Sequence, residues 1–452
     1  MSQTPNTPTP PQYDGSKPHL TKPKVRALRG FPVEGQDPTG KKVQMLGLAD
    51  ARQISEKVVV TSPAAQVLLP LMDGTRGLDE IVTQVGRGLT RPILEGLVAQ
   101  MDDASLIEGP TFQALLAKTR AEFDASSVLP PASTAAFADA LVTQALGGNA
   151  TDAQKAEQGP KKLRETMDLW MSEALKNAQK PSFDALPRAV VAPHLDYARG
   201  WLNYAAVYGR LRVCDRPDRV IILGTNHFGM GTGVVACDKG YETAIGTCEA
   251  DGDLIAQVRA SLGEALFAHR YDHEREHSIE LHIPWIQHVF GKDQMGRYPK
   301  VFGALVHDPA VNNGQSYDGA GVSLEDFVKT MKSVLSSLPG KTLIVSSADL
   351  SHVGPAFGDQ QPLAGDAKET EEARNKVVQH DLQLLDLVVK NKPADLIASM
   401  AWQQNPTRWC STGNIVATLM LAEPSEVEML NYAAAMDQQG MAMVSSAALA
   451  MK

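Results

Sequence analysis

The chain has 452 residues, of which 43% are hydrophobic, and it carries a formal charge of −9. That length allows two or three domains, and the hydrophobic fraction is large enough to bury a sizeable core. The negative charge, with no long Lys/Arg stripe to offset it, argues against a nucleic-acid partner. No apolar run approaches the roughly 20 residues that a bilayer span needs, and the N-terminus lacks the apolar region of a signal peptide. We therefore expect no membrane partner.

The cysteines show no disulfide framework. There are four, Cys214, Cys237, Cys248 and Cys410, with no C-x-x-C pair among them. Such usage is typical of free thiols in a reducing compartment. The sequence therefore predicts a cytoplasmic protein.

The N-terminal quarter predicts a tail followed by a small domain. Residues 1–24 are rich in Pro and Thr, which predicts a disordered tail. Residues 25–110 combine short strands with three amphipathic helical segments, a pattern that favours a winged-helix domain. The phrase L-M-D-G-T-R-G-L-D-E-I-V, followed by a helix and A-S-L-I-E, resembles the PqqD-like peptide-recognition domains. That resemblance implies a leader or precursor peptide bound as an added strand, although a helical oligomerisation or docking module fits the pattern equally well.

The remainder of the chain predicts a larger α/β domain. Residues 111–187 form a helical connector that ends in an amphipathic helix, and residues 188–452 alternate strands with helices. The strand candidates are Ala189–Ala192, Val220–Leu223, Val301–Leu305, Thr342–Val345 and Met441–Ser445. The predicted fold is α/β, with helices on both faces of a mainly parallel sheet.

Histidines follow three of these strand candidates. His194 lies in A-P-H-L-D-Y after the first, His227 in G-T-N-H-F-G after the second, and His352 in V-S-S-A-D-L-S-H after the fourth. A single histidine at such a place is ordinary. Because parallel strands bring their carboxyl ends to one edge of a sheet, we expect the three to converge there. Asp349, three residues before His352, completes a candidate proton-transfer pair in which the carboxylate fixes the imidazole tautomer.

Two further clusters bear on the same site. In E-R-E-H-S-I-E-L-H-I-P-W, helical spacing puts His277 and Glu280 on one face and turns His282 away, which favours roles in a pocket wall over metal ligation. Cys410 lies in a turn-rich loop before an apolar helix. If it converges with His194 and His227, two imidazoles and a thiolate leave open positions on a first-row metal, as catalytic sites do.

Five motifs in this order resemble the Memo family. They are A-P-H-x-x-Y, I-L-G-x-x-H, E-H-S-I-E-x-H-I-P, V-S-S-x-D-x-S-H and a later W-C-S, spread from about Arg188 to the C-terminus. The resemblance implies the fold that Memo proteins share with class III extradiol dioxygenases. It also implies metal ligands at His194, His227 and Cys410, with Asp349 and His352 nearby, and iron as the metal, with copper or zinc as alternatives. In bacteria it implies a place in the AmmeMemoRadiSam system as protein B, beside a radical-SAM enzyme and an AMMECR-type protein.

The chain departs from the family pattern in three places. Phe228 stands where a second histidine is common, Asp196 replaces a usual glycine, and Ser411 follows the cysteine in place of glycine. These changes leave the ligand set intact but alter the pocket, to which we also assign Tyr197 and Asn226.

Three hypotheses for function follow. The first is a non-haem iron(II) redox enzyme of oxygenase type, with His352 as acid/base, acting on a small molecule or a peptide. The second is a non-catalytic metal-binding and peptide-binding scaffold. The third is zinc-assisted hydrolysis.

Overall fold

The computed structural model describes residues 11–36 and 42–452. The chain divides into two compact units, Met1–Ser126 and Ser127–Lys452. None of the helices within the described ranges is long and apolar enough to cross a bilayer.

The first unit contains a small antiparallel sheet and several helices. Its elements are α1 (Pro18–Thr21), β1 (Leu28–Gln36), β2 (Lys42–Asp50), β3 (Val59–Thr61), α2 (Leu78–Val85), α3 (Arg91–Asp103) and α4 (Pro110–Ala125). Among the described residues the three strands pair in the order β1-β2-β3, which leaves β3 at one edge. The first of the three predicted helices is a 3-10 helix at Pro63–Val67, begun by the Ser62 side chain, which accepts from the Ala64 N–H.

The core of this unit reaches into the segment that was expected to be a disordered tail. Leu20 is 2% exposed and packs with Leu48, Met72 and Ile81. The Lys24 backbone bridges to Asp73. Residues 1–10 lie outside the described part of the chain, so only residues 11–24 bear on that expectation. There, Leu20 and the partly buried Tyr13 pack against the core of this unit.

The second unit contains the remaining elements. They are β4 (Val128–Leu129), α5 (Ser133–Ala145), α6 (Asp152–Leu175), β5 (Ala189–Ala192), α7 (Tyr197–Leu211), β6 (Arg219–Thr225), β7 (Val235–Cys237), β8 (Gly240–Thr243), β9 (Gly246–Cys248), α8 (Gly252–Leu262), α9 (His277–Glu280), α10 (Ile283–Phe290), β10 (Lys300–Val306), α11 (Leu324–Ser337), β11 (Thr342–Ser347), β12 (Asp349–Val353), α12 (Lys368–Val389), α13 (Pro393–Gln403), α14 (Thr412–Ala422), β13 (Val427–Met436) and β14 (Met443–Met451). The predicted connector supplies α5 and α6, which belong to this unit.

A mixed sheet forms the centre of the second unit. Among the described residues its order is β12-β14-β5-β11-β6-β10-β7, and β13 pairs with β14. The neighbours β5, β11, β6 and β10 run parallel, whereas the flanking strands pair antiparallel. The predicted mainly parallel sheet is confirmed at its centre.

Helices cover both faces of this sheet, whose central strands are buried along nearly their whole length. Ala189, Val191, Ile221 and Leu223 alternate onto one face and join a core with residues of α8, α11 and α14. Helices α7 and α9 pack against β5 and β6 from the other face. Burial on both sides is the physical reason that these strands read as continuous hydrophobic runs.

Candidate metal centre

His194 stands just beyond the end of β5, with its ring fixed by neighbouring strand β11. It is 2% exposed, and its Nδ1 lies 3.2 Å from the Ser347 carbonyl oxygen and 3.1 Å from the Ser347 Oγ. Ser347 donates its own hydroxyl to the Ser278 carbonyl, so it accepts from the ring. Nδ1 must therefore carry the proton, which leaves the lone pair on Nε2. Burial, reinforced by neighbouring histidines, lowers the pKa of His194 well below its usual value and keeps the ring neutral.

His227 follows β6 and is held by a buried carboxylate, Glu276. Its Nδ1 lies 3.0 Å from Oε1 of Glu276, and its backbone N–H donates to Oε2 at 2.9 Å. Burial alone would lower the pKa of His227, but the carboxylate reverses this and raises it well above the usual value. Burial would likewise raise the pKa of Glu276, yet His227 and its neighbours hold it at about 2. A carboxylate that accepts from Nδ1 is the arrangement that orients metal-binding histidines through Nε2.

His277 begins α9 and brings a third imidazole to the same place. Its ring centroid is 4.8 Å from that of His227 and 5.5 Å from that of His194. One nitrogen from each of the three rings lies within 4.8 Å of the others, close enough to hold one metal ion. The sequence assigned His277 to the pocket wall, and the structure places it at ligand distance.

Cys410 arrives from the loop before α14. Its Sγ is 3.3 Å from Nε2 of His194, and its proximity helps to raise the pKa of His227. Two ligands of a tetrahedral metal with usual N and S bond lengths lie about 3.5 Å apart, so this spacing fits a shared ion. The loop is fixed by Thr225, whose hydroxyl donates to the Cys410 carbonyl at 3.1 Å. The donor set of two fixed imidazoles and a thiol therefore fits a first-row metal.

Asp349 and His352 lie beside the centre but do not form the predicted pair. The Asp349 Oδ1 accepts the backbone N–H groups of His194 and Leu195, at 3.0 and 3.2 Å, and Oδ2 lies 3.6 Å from Nε2 of His194. The His352 Nδ1 instead faces the carbonyl oxygens of Leu350 and Arg408, at 3.0 and 3.2 Å. Two backbone carbonyls, and not the Asp349 carboxylate, fix the His352 tautomer. That part of the prediction is wrong, because the carboxylate is already occupied by the β5 loop.

The other predicted pocket residues have mostly structural contacts. The Asn226 Nδ2 donates to Asp272, and the Tyr197 hydroxyl donates to the Leu281 carbonyl at 2.5 Å. Asp196 begins α7 by accepting the Arg199 N–H. His282 is fully buried, with its Nδ1 2.9 Å from the Tyr208 hydroxyl, so it turns away from the centre as predicted from helical spacing.

Glu280 fastens α5 beside the metal centre. Its Oε1 accepts the backbone N–H groups of Ala132 and Thr134, at 2.8 and 2.9 Å, and the Thr134 hydroxyl at 2.6 Å. Its Oε2 accepts the Ser133 N–H at 3.2 Å. A carboxylate at a helix N-terminus satisfies N–H groups that lack partners within the helix. Glu280 thus anchors the start of α5 through both of its oxygen atoms.

An open cavity of about 260 Å³ adjoins the imidazoles. Its lining includes His194, His277, Asp349, Arg199, and Ser133 and Phe137 from α5. That volume suits a small molecule or a single side chain rather than a folded partner. The cavity thus opens onto two of the three imidazoles, His194 and His277.

Sequence reasoning missed Glu276. It stands immediately before His277, in the motif whose predicted pocket carboxylate was Glu280. The signal was available, since a carboxylate next to a ligand motif is a candidate partner for an imidazole N–H. It could not be attached to His227, however, without knowing that α9 lies against the end of β6.

The chain is similar to proteins of the Memo family over most of its length. The sequence profile of the Memo family, described as Memo-like protein, matches residues 154–451. A MEMO1 family protein of Saccharolobus islandicus is 27% identical over 293 residues, which cover 63% of this chain and 90% of that protein. A MEMO1 family protein of Desulfurococcus amylolyticus is 27% identical over 201 residues, covering 43% of this chain and 65% of that protein. Another, from Pyrobaculum arsenaticum, is 35% identical over 117 residues, covering 26% and 41%.

The matched segment begins within α6, so α5 lies outside it. Ser133 and Phe137 therefore line the cavity from a part of the chain that precedes the family match. Glu280, which lies inside the matched segment, anchors the start of α5.

Replacing Glu276 should weaken metal binding. In Glu276→Gln, a neutral amide replaces the charged acceptor of the His227 N–H, and loss of such a partner typically costs about 10–100-fold in metal affinity. Titration with cobalt(II) would measure this. Glu280→Gln is the matched control, because it removes a charge from the same motif and should lower thermal stability without changing cobalt affinity. Equal affinity in Glu276→Gln and wild type would contradict the assignment.

Asp349 should make stability fall as pH rises. Burial, opposed by its two N–H donors, raises its pKa from 3.8 to about 7, so the folded state holds the proton more tightly than the unfolded state. Ionisation therefore removes stability between about pH 4 and pH 7. In metal-free protein, urea unfolding should show that Asp349→Asn loses less stability across this window than wild type. Parallel pH curves for the two proteins would argue against a buried, raised-pKa carboxyl.

Proposed function

The chain belongs to the Memo family, and from that premise we propose that it is a non-haem iron-dependent redox enzyme of oxygenase type. In this proposal His194, His227 and Cys410 hold iron(II). The observation that carries it is the fixed orientation of the two imidazoles. Each ring donates a hydrogen bond from Nδ1 to a rigid acceptor, the Ser347 carbonyl for His194 and the Glu276 carboxylate for His227. The Cys410 Sγ lies 3.3 Å from Nε2 of His194.

The donor set suits iron better than a hard cation. A thiolate with two imidazoles favours iron, copper or zinc over magnesium and leaves coordination positions open. Bound iron(II) would supply redox chemistry at those positions. The cavity of about 260 Å³ against His194 and His277 supports access by a small molecule or by one side chain of a peptide.

His352 and Asp349 supply sites for a proton near the centre. Because the His352 Nδ1 faces two carbonyl oxygens, its Nε2 is the nitrogen free to accept a proton, and burial lowers its pKa so that the ring is neutral at pH 7. The Asp349 Oδ1 is occupied by two N–H groups, so Oδ2 is the atom that would hold or release a proton. Its pKa of about 7 suits exchange at neutral pH.

Metal content should follow the proposed ligands. Protein isolated without oxygen should contain about one iron per chain by elemental analysis. Cys410→Ser and His227→Ala should lose it, because each removes a ligand, whereas His277→Ala should retain it and change the cavity instead.

Three results would overturn this assignment. The first is wild-type protein without stoichiometric metal, and the second is full retention of metal in His227→Ala. The third is retention in Cys410→Ser with loss in His277→Ala. That third pattern would indicate a three-histidine site, an arrangement found in catalytic zinc centres, and would favour the hydrolytic alternative.

The first unit supports a second candidate function, peptide binding. An apolar groove of about 760 Å³ runs beside edge strand β3 and is lined by residues of β3, α2 and α3. Val60, Val67 and Ile93, all in its lining, are 45%, 55% and 59% exposed. An edge strand next to an apolar groove suits an extended peptide that pairs with the strand and places alternate side chains in the groove. We propose a leader or precursor peptide as the occupant, delivered to the metal centre or simply retained as by a scaffold.

Substitution in the groove should weaken peptide binding. Ile93→Glu places a charge in the apolar lining and should reduce binding of a leader peptide encoded beside this gene by at least tenfold, measured by fluorescence anisotropy with the full chain. Leu169→Glu is the matched control, since Leu169 is 71% exposed on α6 in the second unit. Equal binding by both variants would exclude the groove, and no binding by wild type would exclude that peptide as the occupant.

A further inference from the structure

A buried carboxylate outside the metal centre, Asp381, connects the two chain segments that carry His352 and Cys410. Asp381, on α12, is 0% exposed. Its Oδ1 accepts the Ser351 hydroxyl at 2.5 Å and the Trp409 indole N–H at 2.7 Å. Ser351 immediately precedes His352, and Trp409 immediately precedes Cys410. One oxygen atom therefore holds the side chains of the residues that precede His352 and Cys410.

The second oxygen of Asp381 is held by the sheet. Its Oδ2 accepts the Tyr432 hydroxyl at 2.7 Å and the Ser445 hydroxyl. Tyr432 and Ser445 lie on the adjacent strands β13 and β14. A carboxylate that receives hydrogen bonds from four donors in a dry interior is strongly oriented, because leaving any of them without a partner is costly.

The loop that bears Cys410 has further contacts with β12. The Trp409 indole N–H lies 3.2 Å from the Ser351 hydroxyl, and the His352 backbone N–H donates to the Thr407 carbonyl at 2.7 Å. Trp409 is itself 2% exposed. Movement of the Cys410 loop would therefore break bonds at Asp381 and at β12 together.

We propose that Asp381 is a positioning residue for the metal centre, which sets the place of Cys410 through Trp409 and that of His352 through Ser351. The inference rests on the proposed ligation by Cys410. A ligand atom that is displaced from its proper place lowers metal affinity even when every ligand is present. Asp381 should therefore influence metal binding without touching the metal. A purely structural carboxylate would instead alter stability alone.

Cobalt(II) bound to the full chain separates these roles, because a thiolate ligand gives a charge-transfer absorption in the near ultraviolet. Asp381→Ala should weaken cobalt affinity by about 10–100-fold and reduce the thiolate band per bound cobalt. Asp381→Asn should largely restore both, since its carbonyl still accepts from Trp409 and Ser351, and its amide can donate to the two hydroxyls. Tyr432→Phe is the control, because it removes a bond to Oδ2 only and should lower stability while leaving the band unchanged.

A second variant, Trp409→Phe, keeps the positioning role testable. If Asp381→Ala fails to fold, Trp409→Phe tests the same link, since it deletes the indole N–H and should reduce the band. A folded Asp381→Ala or Trp409→Phe with wild-type affinity and band overturns the positioning role. A wild-type protein that binds cobalt without a thiolate band overturns ligation by Cys410 itself, and with it this inference.

Discussion

The metal centre depends on where two protons reside. His194 and His227 each direct Nδ1–H at a rigid acceptor, the Ser347 carbonyl in one case and the Glu276 carboxylate in the other. His194 is thereby left with a lone pair on Nε2, which lies 3.3 Å from the Cys410 sulfur, whereas His227, whose pKa is raised, would present its Nε2 lone pair once that nitrogen gives up its proton. Without these acceptors, either tautomer would be accessible, and the two rings could not present matching donors to one ion.

The sheet supplies this geometry through its parallel centre. Strands β5, β11 and β6 are neighbours, so His194, Ser347 and His227 all emerge at one edge. Helix α14 then brings Cys410 to that edge, and α9 brings Glu276 and His277. The fold places one proposed ligand, His194 after β5, beside another, Cys410, which lies 216 positions later in the chain. Such convergence at the carboxyl ends of strands is the general property of α/β sheets that the site uses.

The sequence predicted the parts of this arrangement that are encoded locally. The strand at Ala189–Ala192 has its predicted bounds, and the runs around Val220 and Val301 lengthen by only a few residues. Continuous apolar runs mark doubly buried strands directly. The family resemblance supplied Cys410, which no local pattern could connect to a histidine, and the profile match now shows the family itself.

Long-range pairings could not be predicted in the same way. Asp349 stands near His352 in sequence, yet it bonds to the β5 loop, because the register of β12 turns the carboxylate towards His194. His277 reaches the imidazoles because α9 starts at that residue, which a general helical pattern could not fix. Asp381 gave no signal at all within its amphipathic helix.

Identifying the atoms that coordinate the metal in the purified protein is the most direct test of the account. X-ray absorption spectroscopy on protein purified without oxygen would count the atoms that coordinate the ion. The account predicts one sulfur at about 2.3 Å together with imidazole nitrogens, as expected for a thiolate and two histidines. A first shell made only of nitrogen and oxygen would contradict it.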